Sequence, residues 1–182
     1  MKVLGIVGMP GSGKGEFSAI ASEMGIPVVV MGDVIREEVR RAGLPPVDSS
    51  MGVVARRLRE EHGMAAIAKV CIPVVESQQA DMVLIDGIRG DAEVREFSAH
   101  FPEFILVAID SPLQSRFDRL QTRGRSDDLS DMSQLSARDE RESSFGLRSA
   151  MNLATITLSN TGTLDEFRQQ VKRTLTSIAG GS

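Results

Sequence analysis

The sequence predicts a three-layer α/β domain with a five-stranded parallel sheet, and three observations predict it. Five short runs, "KVLGIVG", "IPVVVMG", "DMVLIDG", "EFILVAID" and "ATITLSN", are continuously rich in Val, Ile and Leu, the pattern of strands buried on both faces. Helical patterns lie between them, as connections between parallel strands require. A glycine-rich turn follows the first strand, which places a ligand at the carboxyl ends of the strands.

The elements follow in order. The first strand leads into "GMPGSGKGEF" and a helix that begins near Lys14. After the second strand comes "MGDVIREEVRR", in which Arg40 and Arg41 pair with nearby glutamates on a solvated helix face. Residues 50–79 read as helical in two pieces broken near Gly63, with Pro73 expected to kink the second. Ser111, Pro112 and Gln114 mark a helix start. In the last segment Leu164, Phe167, Val171, Leu175 and Ile178 form one apolar stripe behind a Thr163–Glu166 capping box. Two polar insertions, about 34–79 and about 123–150, interrupt a core of 1–33, 80–122 and 151–182.

At 182 residues the chain suits one domain. A net charge of −4 argues against a nucleic-acid surface. Cys71 is the only cysteine, so no intrachain disulfide forms, which suits a cytoplasmic protein. No apolar run reaches membrane-spanning length, and "VLGIV" is too short for a signal peptide. The expectation is a cytoplasmic protein without nucleic-acid or membrane partners.

The opening loop carries most of the chemistry. Gly8, Gly11 and Gly13 let the backbone curl and turn its N–H groups toward an anion, at the positive end of the following helix. Lys14 adds a cation for phosphate oxygens. The spacing is G-x-x-x-x-G-K, but Gly15 stands where a metal-binding hydroxyl is the rule. The loop resembles that of adenylate kinases and other nucleoside monophosphate kinases, G-x-P-G-x-G-K-G, in Pro10, Gly11, Gly13, Lys14 and Gly15. Glu16 departs from the usual Thr. The resemblance implies that Gly8, Met9, Pro10, Gly11, Ser12, Gly13, Lys14, Gly15 and Glu16 bind ATP.

The same resemblance extends along nearly the whole chain. "MGDVIR" is similar to the acceptor segment T-G-D-x-x-R, with Met31 for Thr, and implies that Gly32, Asp33 and Arg36 serve the acceptor; a guanidinium suits phosphate oxygens as a planar fork. "MVLIDGIR" ends a strand on Asp86, with Gly87 and Arg89 as further acceptor residues in a loop one residue shorter than the kinase D-G-F-P-R. Asp33 and Asp86 are expected to order magnesium through water. Arg116, Arg119 and Arg123 share one helical face. Arg119 and Arg123 match the R-x-x-x-R that enters the kinase lid, so together with Lys14 and Asp86 they are the expected catalytic residues. Arg138 and Arg141 sit one turn apart in the lid, which lacks the cysteine and histidine set of zinc-bearing lids.

The implied family is that of archaeal adenylate-kinase-related nucleotide kinases, with a three-layer P-loop NTPase fold, a helical acceptor-binding insertion over 34–79 and a short arginine-rich lid over 123–150. The expected activity is phosphoryl transfer from magnesium–ATP to a nucleoside monophosphate, AMP being the simplest acceptor. A kinase of dephospho-coenzyme A and a nucleotide-sensing module with slow ATPase activity are the alternatives. "SNTGTLDEF" resembles the corresponding segment of dephospho-coenzyme A kinases, whereas Glu16, Met31 and the shortened loop favour the sensing module. Asn160 and Gly162 are candidate adenine-side residues. His62 and His100 read as surface residues, and the nine methionines as core filler.

Overall fold

The structure is a computed structural model that describes residues 1–123 and 131–181. Five strands, β1 (Lys2–Gly8), β2 (Val28–Val30), β3 (Met82–Asp86), β4 (Phe104–Asp110) and β5 (Ile156–Ser159), form one parallel sheet in the order β2-β3-β1-β4-β5. The described helices are α1 (Lys14–Glu23), α2 (Met31–Arg41), α3 (Asp48–His62), α4 (Ala66–Glu76), α5 (Asp91–His100), α6 (Leu113–Arg123), α7 (Met132–Ser144), α8 (Leu147–Asn152) and α9 (Leu164–Gly180). The chain leaves β1 toward β2 on one side and later returns to place β4 on the other. The order therefore reverses beside β1, and a crevice opens at its carboxyl end.

Alternation along the strands builds two cores. Val3, Val7, Val83, Ile85, Leu106 and Ala108 face the helices α2–α5 and α8. Leu4, Ile6, Met82, Leu84, Val107 and Ile109 face α1 and α9. This two-sided burial is why the strands read as unbroken apolar runs. Phe17 and Phe97 are fully buried, one in each core, and each removes about 2–3 kcal/mol worth of apolar surface from water. A Cβ at Gly5 would lie 2.7 Å from both Ile88 Cδ1 and Phe104 Cζ, so those two side chains fill the slot that Gly5 leaves in the sheet.

The capping box at Thr163 is present, with Glu166 accepting from the Thr163 backbone N–H at 2.7 Å. Arg40 and Arg41 pair with Glu37 and Glu38, as their spacing predicts. The long helical stretch does split near Gly63, whose φ of 85° ends α3. Pro73 lies inside α4, which continues through it to Glu76. α6 begins at Leu113, directly after the Ser111–Pro112 pair that marks this helix start in the sequence, and the Ser111 hydroxyl donates to the Asn160 carbonyl at 2.9 Å. α7 begins at Met132, ahead of the "ARDERESSFG" segment, where the Asp131 carboxylate accepts from the Gln134 N–H.

Candidate functional site

The phosphate loop occupies the turn between β1 and α1. Gly11 and Gly13 have φ of 77° and 116°, in the left-handed region. A Cβ at Gly13 would lie 2.6 Å from Asn160 Nδ2, so the loop is pressed against the end of β5. The Asn160 amide donates to the Ser12 carbonyl at 2.8 Å. The Asn160 side chain is thus a buried tie between the end of β5 and the loop. Gly15 has open space where a Cβ would stand.

A cavity of about 580 Å³ opens over this loop. Its walls include Gly8, Pro10, Gly11, Ser12, Gly13, Lys14, Gly15, Glu16, Gly87, Arg89, Arg119 and Arg138, all predicted from the sequence. Lys14 Nζ donates to the Gly8 carbonyl at 2.5 Å and to that of Met9 at 3.2 Å. Burial lowers the pKa of this lysine to about 8, against a pull upward from Asp86 and Glu142. The Met9 side chain is buried in the core, so its part in the loop is its carbonyl. Ser12 Oγ is buried with no hydrogen-bond partner in the described structure. Glu16 is held by Arg168 of α9, Nε to Oε1 2.5 Å.

The three arginines of α6 have separate fates. Arg119 donates to Ser111 Oγ at 2.8 Å and to the Asn160 carbonyl at 2.7 Å, and its guanidinium lines the cavity. Burial lowers its pKa. Arg116 faces inward instead. It makes a two-pronged pair with Asp139 of α7 at 2.9 and 2.5 Å, and it donates to the carbonyls of Pro10 and Ser111. The charge of Arg116 is therefore met by a buried carboxylate, with no need of a ligand. Arg123 ends α6, but its side chain lies outside the described residues, as do Arg125 and the lid stretch 124–130.

On the other side of the loop, Arg89 projects from the segment after β3 and meets Glu142 at 3.4 Å. Its backbone N–H is fixed by Glu93, a buried carboxylate whose pKa burial raises, with the Arg89 N–H and the Arg59 guanidinium pulling it back. Sequence reading missed Glu93, Arg59 and Glu142. Glu142 lines the cavity and lies among cations, where it stands as the counter-charge.

Gly32, Asp33 and Arg36 sit in the first turns of α2, outside the cavity wall; Arg36 and Asp33 are exposed and paired with each other. Arg141 is exposed and also outside the wall. Asp86 ends β3 beside Gly87, and its Oδ2 accepts from Ser18 Oγ at 2.8 Å. Ser18 carries no motif signal. Among the described residues no three His, Cys, Asp or Glu side chains are grouped to hold an ion. The Asp86 carboxylate, behind the cavity wall, would suit a magnesium ion held mainly by water and phosphate oxygens, whose waters it would orient.

Comparison with known proteins decides the family. Residues 7–135 match the AAA domain family. Relatives named UPF0200 protein are 56% identical in Methanoregula boonei, over 94% of both chains, and 52% identical in Methanoculleus marisnigri, over 99% of this chain and 98% of that one. The chain belongs to the UPF0200 family. Among solved structures, TT1252 from Thermus thermophilus superposes with a TM-score of 0.66 at 20% identity over 98% of each chain. Shikimate kinase from Acinetobacter baumannii, in complex with shikimate, gives 0.57 at 17% over 98% of this chain and 93% of that one. These similarities establish a P-loop kinase-like fold for this UPF0200 protein. No helix among the described residues is long and apolar enough to cross a membrane.

Proposed function

We propose that this protein is an ATP-dependent kinase of a small phosphate-bearing acceptor, a nucleoside monophosphate such as AMP in the first instance. One observation carries the reading. Four cationic side chains from different parts of the chain, Lys14, Arg89, Arg119 and Arg138, line a single cavity over a glycine phosphate loop. Phosphoryl transfer asks for that arrangement, because its transition state spreads negative charge over the transferred oxygens and leaves the protein to position and neutralise. An acceptor oxygen attacks the γ-phosphorus of ATP, the bond to the β–γ bridging oxygen breaks, and ADP leaves. Lys14 and Arg119, with Arg123, hold the transferred group, and Arg89 holds the acceptor. Arg36 joins it once released from Asp33. Magnesium, ordered through water by Asp86 and Asp33, would neutralise the β- and γ-phosphates when bound. Arg138 and Arg141 close over the phosphates from α7.

The pair between Asp33 and Arg36 outside the cavity wall favours keeping a second reading, in which the acceptor is dephospho-coenzyme A or another small alcohol, or in which slow ATP hydrolysis serves as a signal. ADP release from magnesium–ATP is the test, with AMP, CMP, UMP, GMP, dephospho-coenzyme A and shikimate as acceptors. The last is taken from the neighbour that binds it. A monophosphate should raise turnover well above the acceptor-free rate, and Arg36→Ala should abolish that gain. ATP loss indifferent to every acceptor would replace the kinase by the signalling ATPase.

The lysine gives a pH signature. Its pKa of about 8 in the empty site must rise when phosphate arrives, so binding takes up a proton above that pH. Nucleotide affinity should therefore fall as pH is raised through about 8. Calorimetry in two buffers of different ionisation enthalpy measures the uptake directly.

A further inference from the structure

Three features of the fold bear on the missing hydroxyl of the phosphate loop. Gly15 offers none, and it faces open space. Asp86, at the carboxyl end of β3, nonetheless has a hydroxyl partner, Ser18 Oγ at 2.8 Å. Ser18 lies three residues beyond Gly15 on α1, so the two share a helix face one above the other.

We infer that Ser18 is the positioning residue for Asp86, supplying from one turn further along α1 a hydroxyl partner for that carboxylate, though not the metal ligand that the residue after the lysine would be in a hydroxyl-bearing loop. It donates to one carboxylate oxygen, Oδ2, at 2.8 Å, and so fixes the rotation of the group and leaves Oδ1 to accept from a water that a nucleotide-bound cation would bring. Ser18 itself does not ligate; it acts through Asp86. The hydroxyl–carboxylate pair stands behind the cavity wall, which includes Gly15 but neither Ser18 nor Asp86. The inference rests on the kinase reading for its ligand, magnesium–nucleotide, and on the geometry of α1 and β3 for everything else. An orienting partner of a metal-side group typically changes metal affinity about tenfold or more when removed.

The experiment measures binding, without turnover. Wild type, Ser18→Ala, Ser18→Thr and the double variant Gly15→Ser/Ser18→Ala are titrated with ADP by calorimetry in EDTA and at a series of magnesium concentrations. Ser18→Ala should need about tenfold more magnesium to reach half of the metal-dependent gain in affinity, a larger loss than any in EDTA. Ser18→Thr, which keeps the hydroxyl, should behave as wild type. Gly15→Ser should recover part of the gain, since its side chain has room. Equal losses with and without magnesium would make Ser18 a packing residue and overturn the inference, as would an unchanged magnesium requirement in Ser18→Ala. A wild-type protein that binds no nucleotide under any condition would overturn the kinase reading as well, so the two failures are told apart by the wild type alone.

Discussion

Lys14→Met should lower phosphoryl transfer by about 10²–10³-fold, the usual loss when one preorganised charge donor is removed from such a site. The same change should make the protein no less stable, and more stable below pH 8. Burial holds the lysine pKa at about 8 against an ordinary 10.5, so the folded protein carries the charge at a cost of up to about 3 kcal/mol at neutral pH. The sign follows from proton counts. Between pH 8 and 10.5 the unfolded chain binds the extra proton and the folded one does not, so wild-type stability rises with pH across that window. Lys14→Met removes both the cost and the rise. Urea titrations at pH 7 and 10 beside the ADP-release assay would separate the two effects. A methionine variant that loses activity and stability together would mean that the ammonium holds the loop through Gly8 and Met9 rather than waiting for phosphate.

Arg116→Met should be strongly destabilising. It strips Asp139 of its two-pronged partner in a site where both side chains are over 90% buried, and breaking such a pair from one side costs about 3–5 kcal/mol. For a domain of this length that is a fall in Tm of about 10 °C. The double variant Arg116→Met/Asp139→Leu should recover much of the loss, because no lone buried charge remains. It should stop short of wild type, since the Pro10 and Ser111 carbonyls lose their donor. Thermal unfolding of the three variants checks this. Full recovery in the double variant would mean that those carbonyl contacts contribute nothing.

These two predictions mark where the sequence was legible and where it was not. The five strands could be read because a parallel sheet buried on both faces leaves an unbroken apolar run, and the Thr163 cap because its partner is three residues away. Arg116 and Arg119 could not be told apart in the same way. They have the same residue type, helix and face; what separates them is Asp139, 23 residues along the chain, and Asn160, beyond that again. Local spacing holds no trace of either partner. Ser18 escaped for a similar reason, since its bond to Asp86 spans 68 residues. The start of α7 is different: Asp131 followed by Gln134 is a cap signal present in the sequence, overshadowed by the charged segment after it. Arg36 stands where the kinase acceptor segment has its arginine, and in the structure Asp33, one turn earlier, holds its guanidinium outside the cavity wall.

The slot at Gly5 has a mechanical consequence. Ile88 is plugged into the sheet between β1 and the loop that bears Gly87 and Arg89, while Glu93 clamps the far end of that loop by the Arg89 N–H. The jaw that carries Arg89 is thus bolted at both ends to the rigid frame. The central strand acts as the gauge block that sets where that jaw stands over the phosphate loop.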